Sequence, residues 1–262
     1  IITAFFLFLG FVVYYIPHVD PFTYNTYRGK LPPSWTHPLG TTSMGQDVFW
    51  LLIEAIHNSL LIGFIVAWFG TVVGVFVGLF SGFVGGAADR ILMVVTDTFV
   101  VIPSLPILVL MTSLMKGSAT IVVMALVLGV FAWAWPSRQI RSLALSLKER
   151  DFIHTAWFSG EGTIEVGGTE SRPYALTWSL SNFMNATLAA IASESSLAVL
   201  GLSPANLISL GNMIQWARER NAIFTNQWFW IGPPIVATVL LFIGLFLLIT
   251  GYNDYLSMKR GR

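Results

Sequence analysis

The chain has 262 residues, 55% hydrophobic and only 10% charged, with a formal net charge of +1 and a mean hydropathy of +0.72. Soluble domains carry about 25% charged residues, so this composition argues against a water-soluble globule. With no cysteine there is no disulfide, thiolate metal site or thiol nucleophile, and His18, His37, His57 and His154 are scattered without metal-ligand spacing.

Six hydrophobic segments predict membrane-spanning helices, at about 1–16, 57–81, 91–114, 119–137, 178–201 and 228–251. A helix needs about 20 apolar residues to cross a bilayer core, and the alternating strands of a barrel are absent. The expected fold class is therefore all-α: one polytopic membrane helix bundle over 1–262, of about six transmembrane helices. Ile1–Ile16 lacks a basic leader and a small-residue cleavage site, so it reads as a first span that begins before Ile1 rather than as a signal peptide. Residues 17–56 form an expected outer loop of mixed aromatic and polar character.

In the second span Gly70, Gly74, Gly78 and Gly82 recur every fourth residue, followed by Gly85 and Gly86, and predict a small-residue face for close helix packing. The third span contains Asp97, Pro103 and Pro106, and the fourth ends near Pro136. Glu194 lies in the fifth. A charge inside a span costs roughly 2.5–3.5 kcal/mol, so Asp97 and Glu194 should face the bundle interior or water. They read equally as polar groups of a solute pathway or a moving interhelical contact, and as a static buried structure. A second outer loop is expected over 202–227, and Trp216, Trp228 and Trp230 fit an outer aromatic belt.

Between the fourth and fifth spans, residues 138–177 predict a cytoplasmic region. Nine basic residues (Arg90, Arg138, Arg141, Lys148, Arg150, Arg172, Lys259, Arg260, Arg262) then lie inside, against five outside (Arg28, Lys30, Lys116, Arg218, Arg220). That bias places the C-terminus in the cytoplasm. Within this region "SLKERDFIHTAWFSG", Ser146 to Gly160, gathers Lys148, Glu149, Arg150 and Asp151 ahead of a short helical pattern. Phe152, Ala156 and Ser159 fall near one face, with Ile153 and Trp157 alongside, while Arg150, Asp151 and His154 offer polar contacts. Such a helix either fills a groove of a partner protein or lies on the lipid surface.

Several stretches resemble the inner-membrane permeases of binding-protein-dependent ABC importers, in the dipeptide/oligopeptide/nickel branch. "HPLGTTSMGQDVFWLLIEAIHNSLLIG" is similar to that branch's outer-loop signature, with Gly40, Thr41, Gly45 and Asp47 in place but Thr42 and Gln46 where Asp and Arg are usual. "GFVGGAADRILMVVTDTFVVIPSLPILVL", "SESSLAVLGL" followed by "LGNMI", and "TGYNDYL" follow in order, with Leu210 where the branch has Trp. The wider family carries Glu-Ala-Ala, three residues, Gly, nine residues, Ile, one residue, Leu-Pro. Here His154, Thr155, Ala156, Gly160 and Pro173 keep that spacing, while Glu170 and Arg172 occupy the Ile and Leu places and Gly167 and Gly168 interrupt a normally helical stretch.

The resemblance implies that Arg150, Asp151, Phe152, His154, Thr155, Ala156, Trp157, Gly160 and Pro173 form a coupling element gripped by an ATPase. It implies a second, homologous permease subunit as heterodimer partner, two P-loop ATPase subunits and an extracellular substrate-binding protein, all at the cell membrane of a bacterium or archaeon. The chain has no G-x-x-x-x-G-K-[ST] motif, so ATP and Mg would be bound by the partners, with no cofactor, metal or catalysis in this chain and no role for nucleic acid. The cargo implied is a dipeptide, an oligopeptide, nickel or an oligosaccharide. The alternative is a stand-alone secondary transporter or channel. An intramembrane enzyme lacks support, with no cysteine, no G-x-S-x-G and no paired histidines on a span.

Overall fold

The computed structural model describes all residues except 115–119, 160–161, 163–164, 167–168, 170, 205 and 261–262; for 152, 154, 156, 157, 259 and 260 it describes the backbone alone. Among the described residues the regular structure is helical: α1 (Ile2–Phe11), a 3₁₀ turn (Val13–Tyr15), α2 (Val48–Val84), α3 (Gly86–Val101), α4 (Ser104–Leu114), α5 (Ile121–Ala132), α6 (Ala134–Lys148), α7 (Asp151–Phe158), α8 (Arg172–Val199), α9 (Leu210–Glu219) and α10 (Trp228–Arg260).

The second predicted span is longer than its apolar run. Helix α2 has 37 residues, about 55 Å at about 1.5 Å per residue, so it exceeds the ~30 Å hydrocarbon layer and projects beyond it. It starts at Val48 because Asp47 caps it: Oδ1 accepts from Phe49 N at 2.9 Å and from Trp50 N at 3.4 Å. The outer loop expected to reach residue 56 therefore ends at 47. At the other end Gly85 and Gly86 take φ of +68° and +65°, a left-handed turn that side chains disfavour, and the chain turns directly into α3.

Two spans are bent. Helices α3 and α4 meet at 80° around Ile102 and Pro103, where proline removes a backbone donor and forces the residue before it to extended geometry. Helices α5 and α6 meet at 43° across Trp133, with Pro136 in the first turn of α6. Two helices, Val48–Val84 and Trp228–Met258, are each long and apolar enough to cross a membrane, and counting each bent pair as one crossing gives four. The remaining expected segments, 1–16 and 178–201, fall in α1 with its 3₁₀ turn, which is short, and in α8, which is long enough but interrupted by Asn182, Asn185, Ser193 and Glu194. The polytopic all-α bundle stands.

Helix α2 is the axle, packed on α5, α6 and α8. Its glycine stripe forms a close seam with the end of α5 and with α6, as the four-residue spacing predicts. A Cβ at Gly70 would lie 2.7 Å from Ala132 O, one at Gly78 2.6 Å from Ser137 O, and one at Gly82 2.5 Å from Ala144 Cβ, while at Gly74 it would collide with Pro136. One core cluster joins α1, α2, α9 and α10, a second joins α2, α4, α5 and α8. The aromatic belt needs correcting at one position. Trp228 is 58% exposed, as a belt residue should be, but Trp230 is buried in the first core cluster and Trp216 packs half-buried against it. Residues two apart on a helix point to different faces, so both could not be lipid-facing.

Candidate functional site

The segment from Ser146 to Ser159 grows out of one end of the bundle as the end of α6 and the short α7. Helix α6 runs to Lys148, and the turn at Glu149 and Arg150 is closed by Arg150 N donating to Leu147 O at 2.9 Å and Ile153 N to Arg150 O at 3.0 Å. Asp151 then opens α7, where an acidic side chain suits the positive end of the helix dipole. Ile153 is fully buried in a third cluster with Phe83 of α2, Ala144 and Leu147 of α6, and Val166. It works as a peg: one side chain seats the short helix on two long ones.

Polar contacts brace the same end. Arg141 on α6 grips Asp89 on α3 with two parallel bonds, Nε to Oδ1 at 2.6 Å and Nη2 to Oδ2 at 2.7 Å. Ser81 on α2 also donates to Asp89 Oδ1. Lys148 Nζ donates to Phe83 O at 3.0 Å, placing a cation on the C-terminal carbonyls of α2. Lys148, read in the sequence as one of four clustered charges, is thus turned inward, while Glu149, Arg150 and Asp151 stay exposed.

On its outer side α7 presents Asp151, Thr155 and Phe158, the last 92% exposed. The side chains of Phe152, His154, Ala156 and Trp157, and all of Gly160, lie outside the described residues, as do Gly167, Gly168 and Glu170. Pro173 is exposed at the first turn of α8, where a missing N–H is tolerated. Asp89, Arg141 and Phe158 escaped the sequence reading. Asp89 and Arg141 are 52 positions apart, and nothing local pairs them.

The two intramembrane acids differ. Glu194 is fully buried, its Oε1 accepting from Ser209 Oγ at 2.7 Å and from Ser203 Oγ at 3.4 Å. Ser209 Oγ also accepts from Asn212 N at 3.2 Å and so caps α9. Asn212 Nδ2 holds the loop before α9 through Leu207 O at 2.6 Å and Pro204 O at 3.1 Å. Helix α2 joins from below, with Asn58 Nδ2 donating to Ile208 O at 2.8 Å and Ser59 Oγ accepting from Leu210 N at 3.1 Å. The node therefore knots α8, the loop after it, α9 and α2 together.

Asp97 was expected to face the bundle interior or water, and it takes an accessible position. Its side chain is 53% exposed and lies 3.6 Å from Arg138, itself 58% exposed. Helix α3 packs on α2 and α6, with Phe99 also against Phe131 of α5, and Asp97 faces Arg138 of α6 at a solvent-accessible edge of that contact. The contact is interhelical, since Arg138 belongs to α6.

Comparison with known proteins fits this architecture. A family model described as the binding-protein-dependent transport system inner membrane component matches residues 70–262. The oligopeptide transport system permease protein OppC of Mycobacterium bovis is 32% identical over 87% of this chain and 79% of its own length. The protein of the same name from Lactococcus lactis subsp. cremoris is 26% identical over 82% of this chain and 74% of its own. That of Bacillus subtilis is 32% identical over 74% and 63%.

Proposed function

The chain belongs to the family of binding-protein-dependent transport system inner membrane components, and from that premise we propose that it is one permease subunit of an ATP-driven importer. Its cargo is an oligopeptide or a similar solute such as an oligosaccharide, the first in keeping with the names of its relatives. It pairs with a second permease, receives solute from an extracellular binding protein, and is driven by two ATPase subunits that bind ATP and Mg on the cytoplasmic side. The C-terminus is cytoplasmic. Helix α7, with Arg150, Asp151, Phe152, His154, Thr155, Ala156, Trp157, Gly160 and Pro173 in and around it, is the element those ATPases hold.

The observation that carries this reading is the double character of α7. Ile153 fastens it to α2 and α6, while Phe158 stands almost fully exposed. A force applied to such a helix reaches the axle of the bundle without a flexible joint. When the ATPases close on ATP, a pull on α7 becomes a tilt of the spans, and alternating access follows from repeating it.

Phe158→Asp tests the grip. The side chain touches little in this chain, so the protein should insert and keep its thermal stability. An exposed aromatic anchor contributes about 2 kcal/mol to an interface, so the ATPases should bind roughly 30-fold more weakly. Co-purified ATPase would fall and solute uptake with it. Unchanged ATPase recovery, with the variant instead losing affinity for lipid, would mean that α7 lies on the membrane surface.

A further inference from the structure

At one depth of the bundle, two faces of the chain expose opposite chemistry. The glycine seam fixes the depth: a Cβ at Gly74 would lie 3.2 Å from Ser137 N, and one at Gly78 2.6 Å from Ser137 O. Arg138, the next residue of α6, therefore stands level with Gly74 to Gly78 of α2. That is about 5–10 Å inside the apolar run that ends near residue 81, at about 1.5 Å per residue. At this level α2 turns Val72, Phe76 and Phe80 outward, an apolar stripe at four-residue spacing with Phe76 72% exposed. The edge where α3 meets α6 differs. Asp97 and Arg138 are each more than half exposed there, with Thr98 and Gln139 exposed beside them. The two charges stand 3.6 Å apart, beyond hydrogen-bonding distance, and among the described residues neither side chain makes a hydrogen bond.

We propose that the α3–α6 edge around Asp97 and Arg138 is a water-lined wall of the transport path, while the Phe76 face of α2 meets lipid. The proposal rests on the importer reading above. Charge at bilayer depth is costly, so ionisable side chains there turn to protein or to a water-filled space. Acyl chains that suit Phe76 do not suit an open ion pair at the same level. A dry contact with another protein would have to satisfy the five N–H donors of the guanidinium and the carboxylate oxygens with fixed partners. Water does so without any, and it leaves the pair free to part. An ion pair this exposed holds its helices together only weakly. Arg138 sits on the helix that carries α7 at its end, and Asp97 sits on α3. A pull on α7 therefore moves one charge against the other, and the wall changes its access to water with each turn of the cycle.

The absence of cysteine gives a direct test. Thr98→Cys and Gln139→Cys, beside the pair but outside it, are made separately in the complete importer, and each installs the only thiol of this subunit. Phe76→Cys is the control at the same depth. Inside-out membrane vesicles are treated with an impermeant cationic methanethiosulfonate, with and without trapping by ATP and orthovanadate, and labelling of this subunit is followed by mass. Both wall thiols should react, Phe76→Cys should not, and trapping should slow the wall thiols several-fold as the inner side closes. Wall thiols unreactive in both conditions would mean that lipid or a dry subunit contact covers the edge. Labelling at one rate with or without trapping would mean that the edge merely opens to the cytoplasmic surface, and a Phe76→Cys thiol that reacts as fast would remove the contrast between the faces. Each of these results overturns the wall, while ATP-dependent uptake of trialanine or maltotriose by the unaltered complex keeps the importer standing. If the unaltered complex takes up neither solute, the importer reading falls and takes the wall with it.

Discussion

Glu194 and Ser209 show how a single buried pair can hold a loop in place. The Ser209 hydroxyl faces both ways, donating to the Glu194 carboxyl and accepting from the first turn of α9, so removing either partner frees the other. Glu194→Ala strips the acceptor from the buried Ser209 hydroxyl and the half-buried Ser203 hydroxyl, and an unsatisfied buried group costs about 1–3 kcal/mol. Glu194→Gln retains an oxygen for Ser209. We therefore expect Glu194→Ala to lower the melting temperature of the detergent-solubilised protein markedly and Glu194→Gln to lower it little. A glutamine variant as unstable as the alanine variant would show that charge, rather than hydrogen bonding, is what the node requires. Glu194 was visible in the sequence as an acid within an apolar run, but its partners were not. Ser203, Ser209 and Asn212 are ordinary polar residues until the turn after α8 folds back over it.

Among helices, what could be read from the sequence was what each helix states by itself. The glycine period of α2 predicted a close seam, and the structure places the end of α5 on Gly70 and α6 on Gly74, Gly78 and Gly82, where there is no room for a Cβ. Gly78→Leu should consequently abolish assembly, at a cost of about 3 kcal/mol or more from overpacking, while Gly251→Ala, with nothing within 4 Å, should be neutral. Yields of folded subunit after detergent extraction would separate the two, and a well-folded Gly78→Leu protein would refute the seam. Pro103 and Pro136 lie at the bends of the third and fourth spans. Other features depend on which face a residue takes within the assembled bundle. Trp230 was assigned to the membrane interface by its type, yet it turns inward two residues after an exposed Trp228. Asp97 was expected to face either the interior or water, and only the folded bundle shows it half-exposed beside Arg138 of α6. The start of α2 was legible in principle, since Asp47 directly before an apolar run is a capping signal.

For the whole molecule, the bundle consists of a long central helix with a peg-and-brace assembly at one end and a hydrogen-bonded knot at the other. Ile153, the Asp89–Arg141 pair and Lys148 make the first stiff, and Glu194 with Asn212 makes the second stiff. Between them lie the bent spans. The sequence holds no phosphate-binding loop with which to take energy from ATP. The account therefore predicts that the chain works only in company. The most direct measurement is its purification from native membranes in mild detergent, with the travelling proteins identified by mass spectrometry. Recovery of a second permease, P-loop ATPases and a substrate-binding protein is the predicted result. Recovery of the chain alone, or only with copies of itself, would contradict it.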